Sequence, residues 1–123
     1  MNALGVHIIL ELRECNAQLL NDYEFVRSTL IDAANSVGAT IVGESFHRFQ
    51  PIGITGVLAI AESHISIHTW PEYCYAAADI FTCGTSFSPR EAANLLIRRF
   101  QSRDPDILEL ERGKLTELAV VSR

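Results

Sequence analysis

The stretch Thr55-Gly56-Val57-Leu58-Ala59-Ile60-Ala61-Glu62-Ser63-His64-Ile65-Ser66-Ile67-His68-Thr69-Trp70 decides the fold. It predicts two strands, Thr55–Ala61 and Ile65–Trp70, with almost nothing between them. In the second strand Ile65, Ile67 and Thr69 fall on one face and Ser66, His68 and Trp70 on the other. That strict period of two marks a strand buried on one side. A joint this short makes a hairpin, since a parallel pair needs a long crossover.

The same pattern extends in both directions. Upstream, Thr40–Gln50 alternates as a strand, and Pro51-Ile52-Gly53 reads as the turn that folds it back onto Thr55–Ala61. Downstream, Tyr75–Thr82 is the next strand. Leu4–Leu12 is β-rich and apolar, suiting a first strand. Asn21 or Asp22 can cap a helix running to about Val37, with Val26, Leu30, Ala33, Ala34 and Val37 on one stripe. Gly38 then stands where a left-handed residue ends a helix. Ser88-Pro89-Arg90-Glu91 reads as an N-cap, Pro at the first helical position and a capping-box Glu, with Ala92, Leu95, Leu96 and Phe100 on one face behind it. Ile107–Leu110 and Leu118–Val121 close the chain as short strands. The order is β-α-β-β-β-β-α-β. Hairpins dominate, so the two helices are expected on one face of an antiparallel sheet, an α+β two-layer sandwich. The other face needs a cover, which a second subunit could supply.

Composition narrows the function. At 123 residues the chain fits one domain, 1–123, with 48% hydrophobic and 20% charged residues, as in soluble globular proteins. A core this small leaves little surface for a deep private cleft, which favours a site shared between two copies. The net charge of −5, without any Lys/Arg run, removes the electrostatic term that nucleic-acid binding needs. No apolar stretch approaches the roughly 20 residues that span a bilayer, and Met1 to Gly5 has no leader pattern, so no membrane partner and a cytoplasmic location are expected. Three cysteines without a C-x-x-C pair argue against a disulfide framework.

Between residues 61 and 84 reactive side chains gather: Glu62, Ser63, His64, His68, Glu72, Cys74, Asp79 and Cys83. Three arrangements compete for them. A serine hydrolase would use Ser63 with a His base, but no Gly-x-Ser-x-Gly elbow surrounds it. A zinc site could draw on His64, His68, Cys74 and Cys83, but His64 and His68 lie about 13 Å apart along an extended strand, too far for one metal unless the strand bends. The third arrangement turns Ser63 against its own backbone.

Glu62-Ser63-His64, followed by His68-Thr69-Trp70-Pro71-Glu72 and Phe81-Thr82-Cys83-Gly84, resembles the prokaryotic S-adenosylmethionine decarboxylase proenzymes, pyruvoyl-dependent enzymes. Leu4-Gly5-x-His7, Gly38-Ala39-Thr40 and Phe46-His47-x-Phe49 extend the likeness to about residues 3–112. The resemblance implies cleavage between Glu62 and Ser63, giving a β chain 1–62 and an α chain 63–123, with Ser63 converted to the pyruvoyl cofactor. It implies no metal. Thr55 would supply a hydroxyl to the cleavage intermediate, and His68 would be the base that takes the Ser63 α-proton, as an imidazole near neutrality can. The pyruvoyl group would form a Schiff base with the substrate amine, and Cys83 would return a proton to carbon. Phe49 would stack on adenine, Glu72 would hold the ribose hydroxyls, Glu62 would add a second ribose contact and Trp70 would line the pocket. The product would be the aminopropyl donor for spermidine biosynthesis. Relatives on this scaffold act on ornithine or arginine instead, and a non-cleaving regulatory paralogue is the remaining alternative.

Two points qualify the resemblance. Cys74 stands where such proteins usually have Gly, which bears on the backbone there. Ser63 and His68, five residues apart, face opposite ways on a regular strand. Either the strand bends after Ser63, or the working histidine comes from another copy. The implied homodimer of αβ units, with Ser63 and Cys83 from one subunit and Phe49, Thr55, His68 and Glu72 from its partner, agrees with the second option.

Overall fold

The structure is a computed structural model and describes residues 3–83 and 87–114. Six strands form one sheet in the order β2-β3-β4-β5-β1-β6. They are β1 (Ala3–Arg13), β2 (Ile41–Arg48), β3 (Ile54–Ile60), β4 (Ser63–Trp70), β5 (Tyr75–Cys83) and β6 (Asp104–Lys114), and every neighbouring pair is antiparallel. Three α-helices, α1 (Ala17–Leu20), α2 (Tyr23–Ser36) and α3 (Pro89–Arg99), make the second layer, and a short 3-10 turn, Pro71–Tyr73, joins β4 to β5.

The period of two sorts the strands as expected. Ile8, Leu10 and Leu12 of β1, Ile54, Leu58 and Ile60 of β3, Ile65 and Ile67 of β4, and Ile80 of β5 are buried in one cluster with Leu30, Leu96 and Phe100 from the helical layer. All helices therefore share one face. The opposite face carries His7, Ser66, His68 and Asp79, and leaves Val57, Trp70, Leu108 and Leu110 exposed. None of the helices among the described residues is long and apolar enough to cross a membrane.

α1 leaves no signal in the sequence, because four residues are too few to show a 3.6 period. Asp22, not Asn21, caps α2, its carboxylate accepting from the Phe25 amide at 3.0 Å, while Asn16 caps α1. Gly38 follows the end of α2 with φ +74°, as the left-handed position requires. The Ser88 side chain, expected to cap α3, makes no cap hydrogen bond, although Pro89 does begin that helix. β6 is far longer than Ile107–Leu110, because β1 lends it a partner residue by residue. The expected strand Leu118–Val121 lies outside the described residues. β4 begins at Ser63, two residues before the alternation predicts, and this displacement matters most for the site.

Candidate active site

The reactive side chains divide between the two ends of the β3–β4 hairpin. At the end remote from the hairpin turn, Phe49, Gly53, Thr55, His68, Trp70 and Glu72 line a cleft of about 330 Å³. The turn before β3 builds one wall. Gly53 has φ +108°, and a Cβ there would stand 3.2 Å from the Thr69 carbonyl, so no other residue fits without strain. The Phe49 amide donates to the Gly53 carbonyl at 2.8 Å, and Asn21 Oδ1 accepts from the Gly53 amide at 3.0 Å. Thr69, buried, accepts from the Ile54 amide and donates to the Leu20 carbonyl, both at 2.9 Å. These ties hold the wall against β4 and α1.

Thr55 and His68 are opposite each other in the β3–β4 register, and Thr55 Oγ1 lies 3.0 Å from His68 Nδ1. With Nδ1 engaged, Nε2 is the nitrogen left for proton transfer. Trp70 sits opposite Tyr75, ring centroids 5.5 Å apart, and at 39% exposure it is not a core aromatic. Phe49 is also exposed, its ring 4.5 Å from that of His47. Glu72 projects from the 3-10 turn and is exposed. That turn ends at Cys74 in the left-handed conformation (φ +52°, ψ +38°), the shape a glycine would favour. The loop keeps its form despite the substitution, held by a 2.9 Å bond from the Cys15 amide to the Cys74 carbonyl.

The turn end differs in every respect. Glu62 has φ +60°, uncommon for a residue with a side chain. Ser63 follows as the first residue of β4, opposite Ile60. Its Oγ is buried and has no hydrogen-bond partner among the described residues, and the same holds for Oγ1 of Thr82, a residue 1% exposed. Such orphaned hydroxyls are rare, each costing about 1–3 kcal/mol. Cys83 ends β5 opposite Gly5. A Cβ on Gly5 would meet the Phe81 ring and the Thr82 carbonyl at 2.8 Å, which gives the glycine of Leu4-Gly5-x-His7 a packing role.

β4 runs unbroken between these ends, in continuous register with β3 and β5. Ser63 and His68 therefore stand about 16 Å apart along the strand and on opposite faces. Of the two options the sequence left open, the bend is ruled out. Within one chain Thr55, Phe49, Trp70 and Glu72 are brought to His68, while Glu62, Ser63 and Cys83 are not.

Midway between the ends lies a cluster that sequence reasoning missed. Asp79 Oδ2 is 2.6 Å from His7 Nε2 and 3.0 Å from His64 Nε2, and Ser66 Oγ donates to Oδ1. Burial alone would raise the Asp79 carboxyl, but the hydrogen bonds from Ser66, His7 and His64 outweigh it and hold it below the usual range. The ligand atoms of His7, His64 and Asp79 lie within 4.8 Å of one another, close enough for an ion. The tautomer opposes one. Arg112 Nη1, which can only donate, stands 2.9 Å from His7 Nδ1, so the His7 proton is on Nε2 and directed at Asp79. The available signal was the His7 of the first motif, which has a place in the strand alternation but no partner legible in sequence.

Comparison with solved structures gives the class. The fold is similar to the crystal structure of the adenosylmethionine decarboxylase from Aquifex aeolicus VF5, with a TM-score of 0.87 and 35% identity over 95% of this chain and 97% of that one. The class is thus an α+β two-layer sandwich, the fold of a solved decarboxylase. The model of the S-adenosylmethionine decarboxylase family matches residues 6–113. The chain is 50% identical over 113 residues to the S-adenosylmethionine decarboxylase proenzyme of Thermodesulfovibrio yellowstonii, covering 92% of this chain and 84% of that one. It is 45% identical over 120 residues to the proenzyme of Thermosipho melanesiensis, covering 98% and 92%. The chain belongs to the S-adenosylmethionine decarboxylase family.

Proposed function

We propose that this protein is a cytoplasmic, self-processing S-adenosylmethionine decarboxylase that supplies the aminopropyl donor for spermidine synthesis, and that it works as a homodimer of cleaved chains. One observation carries the reading: a buried serine hydroxyl without a partner directly follows a residue in a left-handed conformation. A serine kept for structure would be hydrogen-bonded. A serine that must attack the preceding carbonyl gains from having its lone pairs free.

Ser63 Oγ bonds to the Glu62 carbonyl carbon, the Glu62–Ser63 C–N bond breaks, and the hydroxyl proton ends on the freed Ser63 nitrogen. An ester now joins residues 62 and 63. Removal of the Ser63 α-proton expels the Glu62 carboxylate and leaves dehydroalanine. One water then converts it to a pyruvoyl group and ammonia. His68 is the proposed base, oriented by Thr55. Thr55 also offers the hydroxyl that steadies the intermediate.

The pyruvoyl group generated from Ser63 acts as the electron sink for decarboxylation. The surrounding residues fit it, since the position is water-poor and has no competing hydrogen bond. Cys83 is the proposed proton donor to carbon. Phe49 and Trp70 provide aromatic faces for adenine, and Glu72, joined by Glu62 once its peptide bond is cut, accepts from the ribose hydroxyls. Two aromatics with a carboxylate in a cleft of about 330 Å³ suit a nucleoside. Ornithine and arginine have no base to stack, so the geometry favours S-adenosylmethionine.

The separation of Ser63 from His68 within one chain supports a histidine supplied by a second copy. The sheet face opposite the helices, with Val57, Trp70, Leu108 and Leu110 exposed, is the surface a second copy would cover. Two measurements test the reading. Intact mass should show two fragments divided at 62/63, and Ser63→Ala should stay whole; an uncut 13.6 kDa wild-type chain after long incubation would overturn it. Carbon dioxide release should occur from S-adenosylmethionine and not from ornithine or arginine.

A further inference from the structure

We infer that Thr82 is a positioning residue for chain cleavage, its hydroxyl setting the orientation of the Ser63 hydroxyl. The inference rests on the self-processing reading. The register that pairs His64 with Phe81 and Ile65 with Ile80 puts Ser63 beside Thr82 on adjacent strands. Both lie on the helix side of the sheet, Ser63 in phase with Ile65 and Thr82 in phase with Ile80. Side chains directly opposite in an antiparallel pair stand about 5 Å apart at Cβ. Two hydroxyls that close can reach one another by rotation about χ1.

Among the described residues neither hydroxyl has a hydrogen-bond partner. Valine would fill the Thr82 site with the same shape and no desolvation penalty, and valine also suits a strand better than an unsatisfied threonine. At 1% exposure and directly beside the reacting serine, the Thr82 hydroxyl has a partner within reach during the reaction, which the equally orphaned Thr29 on α2 lacks. As Ser63 Oγ swings toward the Glu62 carbonyl, Thr82 Oγ1 accepts its hydrogen bond. The proton then points away from the carbonyl carbon and a lone pair points toward it. Thr82 neither forms nor breaks a covalent bond, and the proton still ends on the Ser63 nitrogen.

Thr29, on α2, has a third orphaned hydroxyl and serves as a control. The experiment follows cleavage of freshly made chains by intact mass, with thermal melting alongside, for wild type, Thr82→Val, Thr82→Ser and Thr29→Val. Thr82→Val should slow cleavage by about tenfold or more, as loss of orientation at a reacting atom does. Its melting temperature should hold or rise, Thr82→Ser should recover most of the rate, and Thr29→Val should cleave normally. Wild-type cleavage in Thr82→Val overturns the inference and leaves self-processing standing. Slowing shared by Thr29→Val, or slowing with a lowered melting temperature that Thr82→Ser fails to rescue, assigns Thr82 to packing and also overturns it. A wild-type chain that never cleaves overturns the self-processing reading itself.

Discussion

The two ends of the β3–β4 hairpin use similar residue types in opposite ways. At the cleft end Thr55 and Thr69 have their hydroxyls bonded, to His68 and to backbone groups, and the surrounding aromatics are open to solvent. At the turn end the hydroxyls of Ser63 and Thr82 are buried and unbonded among the described residues, and Ser63 directly follows a residue with positive φ. The first end is an open cleft whose walls are tied by hydrogen bonds. The second holds buried polar groups without partners, each at a cost of about 1–3 kcal/mol. The proposed reactive groups are divided between the two ends, and β4 runs unbroken between them. Two copies related by a two-fold axis can meet cleft to turn twice over.

Mixing variants breaks or confirms this comparison most sharply. Ser63→Ala and His68→Ala should each remain uncut alone. Co-expressed, the proposed dimer would pair them so that one site has both intact groups, and cut His68→Ala chains should appear by mass. No cut chain in demonstrated mixed dimers would mean that each subunit works alone. Cys83→Ala separates the two chemistries at the turn end. Cleavage should persist while carbon dioxide release falls by about 10²–10⁴-fold, the range for a lost proton donor. Unchanged turnover would remove Cys83 from the mechanism.

Asp79 tests whether the middle of the strand links the ends by structure alone. Its carboxyl is depressed, so its stabilising contribution is present above the normal carboxylate range near pH 4 and is lost as pH falls through the lower folded value. Asp79→Asn should lower stability at pH 7 by about 1–3 kcal/mol and flatten the acid limb, seen by urea unfolding at several pH values. Cleavage at 62/63 should remain, and a chain that stopped cutting would tie Asp79 to the chemistry. The smallest effect belongs to the cleft end. Cys74→Gly relieves a side chain at φ +52° and should raise stability by about 0.5–1 kcal/mol, read as a higher melting temperature.

Much of this was legible in one dimension. The alternation of Ile65, Ile67 and Thr69 placed the buried face of β4, and Gly38 marked the end of α2. The reactive residue types were also visible, because a motif is a statement about local order. The cap at Ser88 failed because a capping pattern says which bond is available, not whether the loop before it brings the hydroxyl into place. The His7–Asp79–His64 cluster joins residues from three strands, β1, β4 and β5, and such pairing has no local signal.

The amino-acid order by itself determined the α+β sandwich, the position of the hairpins and the identity of the chemically able side chains, since hydrophobic period and turn chemistry act within a few residues. Tertiary structure decided where those side chains stand relative to one another. It set Ser63 inside β4 instead of before it, put Thr82 beside it, left both hydroxyls unbonded and kept His68 out of reach. Whether a hydroxyl has a partner depends on the register of strands far apart in sequence and on the layer packed above them, and no local pattern encodes either.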